Sequence, residues 1–186
     1  MTKSTVGLHE AVLARMAAKF AGPVIQNSLR SLYVEEQVGV LLGDGWVPMG
    51  ADWAGWDFET SSAVGVDPVR LEVKQSAARQ TWDQSGNPSR GSFDIATRTG
   101  YFKGNIWFPS TARLAEIYVF AWHGRFDASC DQTDPSQWTY FVIPTSGLPM
   151  QKSIAQSRIK LLATESSASE LRDVVDGLVD DIRGET

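Results

Sequence analysis

The chain has 186 residues, 42% of them hydrophobic and 21% charged, which suits one globular domain with a core and excludes a largely disordered chain. Its net charge of −5 argues against a protein built around a broad basic nucleic-acid footprint. Its single cysteine, Cys130, rules out an intramolecular disulfide and an all-cysteine zinc site. No apolar run approaches the roughly eighteen residues of a membrane span. The opening MTKSTVGLHE lacks the apolar segment and cleavage site of a secretory signal, so a cytoplasmic protein is expected. No repeat or linker divides the chain, and residues 1–186 read as one domain.

In chain order, residues 6–20 carry Leu8, Val12, Leu13, Met16, Ala17 and Phe20 at helical spacing, and Gly22-Pro23 ends that helix. A second helix is expected from Asn27 or Ser28, as cap, to about Leu42, with Gly43-Asp44-Gly45 as its stop. Apolar residues occupy much of its circumference, which predicts packing on more than one side and makes its two glutamates, Glu35 and Glu36, conspicuous. Residues 46–49 and 53–59 read as a hairpin around Gly50-Ala51-Asp52, and 69–76 as the central strand. A polar loop covers 83–90, and residues 93–107 fit neither period cleanly. The unbroken apolar run 117–122 predicts a strand buried on both faces. Another strand spans 138–143, a short strand or helix 153–163, and an amphipathic helix 171–182. This order gives an α/β fold, a mixed sheet flanked by helices.

The chemistry is concentrated in VRLEVKQS. Alternation puts Glu72 and Lys74 on one face of that strand and Leu71 and Val73 on the other. Fourteen residues separate Asp57 from Glu72, and Asp57 stands at the close of the run WAGWDF, read as ending its strand. Two carboxylates and a lysine in this order suit phosphodiester hydrolysis by metal-activated water. Mg²⁺ takes oxygen ligands, here Asp57, Glu72 and the Val73 carbonyl, and Lys74 is placed to stabilise developing charge. A helical carboxylate, Glu35 or Glu36, would complete the set. Taken alone, Glu-x-Lys also fits an ion pair on an ordinary exposed strand.

The stretches SLYVEEQV, ADWAGWDFE and VRLEVKQSAARQTW resemble, in that order, the helix, hairpin and central strand of the PD-(D/E)xK nuclease superfamily, over roughly residues 28–122. The resemblance implies a restriction-endonuclease-like fold. It implies an endonuclease using Mg²⁺, with Mn²⁺ as substitute, on a nucleic acid, foremost DNA. The family's metal aspartate falls on Asp57, its strand acid on Glu72, its lysine on Lys74, and its helical glutamate on Glu35 in preference to Glu36. Gln75 matches a glutamine that follows the lysine in many members. The aspartate here is not preceded by proline. Many such nucleases pair to cut both strands, which makes a homodimer an expectation. Some members keep the fold and lose the chemistry, so the competing expectation is a silent module that binds nucleic acid or a protein partner.

Other chemistries find less support. His9 and His123 show no zinc-hydrolase spacing, and no phosphate-binding glycine motif is present. Cys130 lacks an adjacent base in sequence. Most of the seven tryptophans are expected in the core, with Trp82, beside Arg79 and Gln80, as the one to watch for base stacking. Arg90, Arg98, Lys103 and Arg113 are expected to line a cleft and offset the acidic total.

Overall fold

The computed structural model describes residues 5–49, 54–61, 65–82 and 86–184. Helix α1 (Thr5–Ala17) continues into a 3₁₀ turn, and α2 (Asn27–Leu42) follows. The strands are β1 (Trp46–Pro48), β2 (Phe58–Thr60), β3 (Arg70–Ala77), β4 (Ser92–Asp94), β5 (Arg98–Lys103), β6 (Ile106–Ala112), β7 (Ile117–His123), β8 (Trp138–Pro144) and β9 (Ser153–Ala155). The one-turn helix α3 (Gln156–Ile159) and the long α4 (Leu171–Gly184) close the chain.

Five strands form one mixed sheet in the order β1-β2-β3-β7-β8. β1, β2 and β3 are joined antiparallel, β3 and β7 run parallel, and β8 returns antiparallel to β7. The expected α/β class and the mixed sheet flanked by helices are therefore present. β7 is buried on both faces along nearly its whole length, as its unbroken apolar sequence requires. On one face, Val34, Val38 and Leu42 of α2 and Leu171, Val175 and Val179 of α4 pack on Leu71, Val73, Ile117 and Val119. Each such side chain, fully buried, contributes about 1.5–3 kcal/mol of transfer free energy. The other face is covered by the β4–β9 ribbon and Ile159 of α3, around Tyr118, Phe120, Phe141 and Ile143. Among the described residues no helix is long and apolar enough to cross a membrane.

Several local expectations need correction. The N-cap of α2 is Gln26, not Asn27 or Ser28; the Asn27 carboxamide instead accepts from Arg30 Nη2 at 2.8 Å. Helix α2 is buried along the single row Arg30, Val34, Val38 and Leu42, while Leu32 and Val40 stay exposed, so it packs on one side only. Its C-terminus is closed by Gly43, at φ 63°, and by the Arg172 guanidinium of α4, which donates to the carbonyls of Leu42 and Asp44. Asp57 does not end a strand but stands immediately before β2. Its N–H donates to the Leu71 carbonyl at 3.0 Å, so the ladder begins one residue ahead of Phe58. The expected turn 50–52, Trp53 and residues 83–85 of the polar loop lie outside the described residues. The ambiguous stretch 93–107 resolves into β4, β5 and the start of β6. Among the described tryptophans Trp46 and Trp138 are buried in the core and Trp56 and Trp122 pack against it, as expected of most of the set, while Trp82 and Trp107 are exposed.

Candidate active site

β3 presents Arg70, Glu72, Lys74 and Ser76 on one face, with Leu71 and Val73 sunk in the core behind them. On the neighbouring β7, Tyr118, Phe120 and Trp122 stand opposite Glu72, Lys74 and Ser76. Glu72 and Lys74 form an ion pair, both largely buried. β2 pairs with β3 only as far as Leu71, and beyond that point Asp57 occupies the edge. The Val73 N–H donates to Asp57 Oδ2 at 2.6 Å, which ties the carboxylate to the strand that carries Glu72. A residue's N–H and C=O leave a strand on the same side, so the Val73 carbonyl faces this same edge, where no strand pairs with it.

The electrostatics follow from this crowding. Burial pushes the Asp57 carboxyl up to about 7; the charge of Glu72 adds to the rise, and the Val73 N–H and Lys74 oppose it. Glu35 is half-buried on α2, and its carboxyl is raised by burial, then by the charges of Glu36 and Glu72, with Lys74 opposing. Glu36 is exposed on the helix. Of the two helical glutamates, Glu35 is the one whose charge is felt by both Glu72 and Asp57. The Tyr118 phenol is pushed up to about 12 by burial and then by Glu72. Three carboxylates thus share one lysine in a partly desolvated corner.

Among the described residues, no three Asp, Glu, His or Cys side chains are gathered tightly enough to hold a metal ion by themselves. The available donors are the carboxylates of Asp57 and Glu72, the Val73 carbonyl and the more distant Glu35. They are hard oxygens, and the excess of negative charge is what a divalent cation relieves. The donor set fits Mg²⁺, which takes one or two protein carboxylates and keeps several waters. It does not fit a zinc centre built on nitrogen or sulfur.

Behind the strand lies a network that the sequence reading passed over. Arg30 is fully buried and faces neutral acceptors: its Nε donates to Gln75 Oε1 at 2.7 Å, and its Nη2 to Asn27 Oδ1 and to Gln80 Oε1 at 3.0 Å. Its Nη1 donates to the Ile25 carbonyl at 3.3 Å. Burial pulls the guanidinium pKa down to about 10. Gln75 also donates to Ser31 Oγ at 3.0 Å, so it stitches β3 to the start of α2 on the face opposite Lys74. The i, i+4 row Arg30-Val34-Val38-Leu42 was the signal that placed this arginine inward.

The remaining candidates separate. Arg113 donates to the carbonyls of Ile95 and Leu148 and to that of Pro149, so it clamps loops together rather than lining a cleft. Arg79 donates to the Asp127 carbonyl, and Trp82 is exposed. Arg90 is exposed, Arg98 is paired with Asp94 at the root of β5, and Lys103 ends that strand. His9 lies exposed on α1, and His123 is buried with Nε2 3.1 Å from the Asp131 carbonyl. The base that Cys130 lacks in sequence lies near it in space: the thiol sits 4.0 Å from His123 Nδ1. Burial raises the thiol pKa and lowers that of the imidazole, which keeps both neutral and disfavours a thiolate nucleophile. No family model, no curated protein and no solved structure matches this chain.

Proposed function

We propose that this protein is a Mg²⁺-dependent deoxyribonuclease of the PD-(D/E)xK kind, with a restriction-endonuclease-like fold. The observation that carries the reading is the Asp57 carboxylate, held by the Val73 N–H at the unpaired edge of β3 next to the largely buried Glu72–Lys74 ion pair, with Glu35 of α2 within electrostatic reach of both acids. The element order adds support, because a helix, a hairpin and a central strand in succession, here α2, β1–β2 and β3, are what the sequence resemblance implies. Asp57, Glu72 and the Val73 carbonyl would hold the ion, with Glu35 oriented toward it directly or through water. Mg²⁺, or Mn²⁺ in its place, would neutralise phosphoryl charge and make water acidic enough to attack.

The protein's own groups set the rest. The Val73 N–H fixes the Asp57 carboxylate. Lys74 is the only cation of the cluster. With Glu72 among the donors to the ion, the Lys74 ammonium would be placed to hold the attacking oxygen or the charge that develops on the phosphate. The half-buried setting strengthens that attraction over its value in water. A homodimer would bring two such sites to opposite strands.

The test is incubation of plasmid and single-stranded DNA with Mg²⁺ or Mn²⁺, comparing the parent with Glu72→Ala and Lys74→Ala. Metal-dependent cutting in the parent is expected, with a loss of about 10²–10³-fold in Lys74→Ala and an unchanged far-ultraviolet circular dichroism spectrum. A folded parent that leaves every substrate intact, or a Lys74→Ala variant of full activity, refutes the assignment.

A further inference from the structure

The connection from β3 to its parallel neighbour β7 carries a β-hairpin where such crossovers usually carry a helix. β5 and β6 pair only with each other. Opposed residues share a face, so Tyr101 and Phe108 lie on one side of this ribbon and Phe102 and Trp107 on the other. The first side is anchored. Tyr101 packs against Trp56 with ring centroids 5.3 Å apart, and Trp56 is the chain neighbour of Asp57. Arg70, two residues before Glu72, lies 4.8 Å over the same Trp56 ring. The hairpin therefore rises from the rim of the carboxylate cluster, and its inner wall bounds a cleft of about 1090 Å³ that Trp56, Arg70 and Lys103 help to line.

The second side has no such anchor, although Phe102 also reaches the cleft, and exposure alone does not set the sides apart, since Phe108 on the first is 39% exposed. Phe102 and Trp107 form an edge-to-face pair, centroids 5.0 Å apart, yet remain 39% and 42% exposed. The Trp107 ring lies across the backbone of Gly100, where any Cβ would collide with it, so the indole is held in place. Charge follows the same pattern. Residues 95–115 contain Arg98, Lys103 and Arg113 and no acidic residue, in a chain whose total is −5. Arg98 is paired with Asp94 and Arg113 is engaged with loop carbonyls, so Lys103, next to Phe102, is the cation this ribbon offers. Aromatic faces beside a cation give an unpaired nucleic-acid strand a surface for its bases and charge for its phosphates.

We propose that the β5–β6 hairpin is a stacking arm that receives unpaired bases of a DNA strand on Phe102 and Trp107, so that the substrate carries a single-stranded segment beside the cleavage point. This rests on the nucleic-acid reading above, but its test requires no cleavage. Fluorescence anisotropy, with Ca²⁺ replacing Mg²⁺, measures the affinity of the parent and of Phe102→Ala/Trp107→Ala for a single strand, a forked duplex and a blunt duplex. Phe102→Leu/Trp107→Leu serves beside it, because leucine keeps apolar bulk on the ribbon and removes only the rings.

The parent is expected to prefer the single strand and the fork. Each ring lost should weaken those two by about tenfold, and the pair by about a hundredfold, with the blunt duplex changed by less than about threefold. Unchanged affinity, or equal loss on all three substrates, overturns the arm. If cleavage persists in that case, the nuclease assignment survives alone, whereas a parent that binds no nucleic acid overturns both. A parent that sediments as a dimer and a double variant that sediments as a monomer with unaltered DNA affinity would make the ribbon a contact between copies instead.

Discussion

Replacing Asp57 by asparagine should leave the stability of the metal-free protein nearly unchanged at pH 4 and raise it progressively as pH climbs toward 7. The change is nearly isosteric, and the carboxamide oxygen can still accept from the Val73 N–H. In the parent the Asp57 pKa is about 7 against an ordinary 3.8, through burial first and the neighbouring Glu72 charge second. A carboxyl raised on folding contributes its full stability below the unfolded value, and that contribution is lost as pH rises toward the folded value. At 1.36 kcal/mol per pKa unit, ionised Asp57 costs the folded state about 4 kcal/mol by pH 8, and asparagine removes that cost. For a chain of this length that is roughly 10 °C in Tm. Urea and thermal unfolding of both proteins with EDTA, from pH 4 to pH 8, give the difference directly. His123, whose pKa is lowered by burial, contributes the opposite trend in both proteins and cancels. The gap should be near zero at pH 4, open between pH 4 and 7, and then level off. Mg²⁺ should narrow it, since an ion at about a hundred times its Kd adds about 2.7 kcal/mol to the parent. A gap that is flat with pH, or an asparagine variant that is less stable at pH 8, would refute the reasoning.

Arg30→Leu should cost about 1–3 kcal/mol, because it takes their arginine donor from the buried Ile25 carbonyl and Gln132 Oε1 and from the part-buried Gln75 and Gln80 amides; urea midpoints measure it. Gly39→Ala puts a Cβ 2.9 Å from the ring of Phe58, the residue after Asp57. The gain of about 1 kcal/mol in helix propensity should be outweighed by a clash of about 1–3 kcal/mol, and DNA cleavage should fall as Asp57 shifts; a variant more stable than the parent would show that the ring yields freely. Cys130, 2% exposed and raised by burial, should react with a thiol reagent only as fast as the protein unfolds, and rapid native labelling would contradict its position.

The sheet was readable where burial is uniform or strictly alternating. The apolar run of β7 could be little else than a strand enclosed on both sides, and the alternation of β3 put Glu72 and Lys74 together. The stop of α2 was legible in its two glycines. Three things were not legible. The side of α2 that packs depends on which apolar residues find a neighbour, and Val40 and Leu32 find little cover. The choice between Glu35 and Glu36 depends on the same rotation, fixed by contacts with Val73 and Leu71 that no local pattern encodes. The hairpin at 98–112 obeys neither period because its aromatics stand on both faces, with only Tyr101 anchored on Trp56.

The crossover between β3 and β7 also bears on how the protein comes to be active at all. Glu35, Asp57, Glu72 and Lys74 have all been synthesised by residue 74, yet β3 gains its parallel neighbour only with Ile117–His123, and β7 its own partner only with Trp138–Pro144. Such distant pairing closes late, since the loop entropy must be met before the contacts form. A nascent or truncated chain ending before Ile117 would hold every residue of the site on a strand with one edge open and no sheet to fix it. On the proposed function, activity would then switch on as a single late event of folding, and an unfinished chain would lack it.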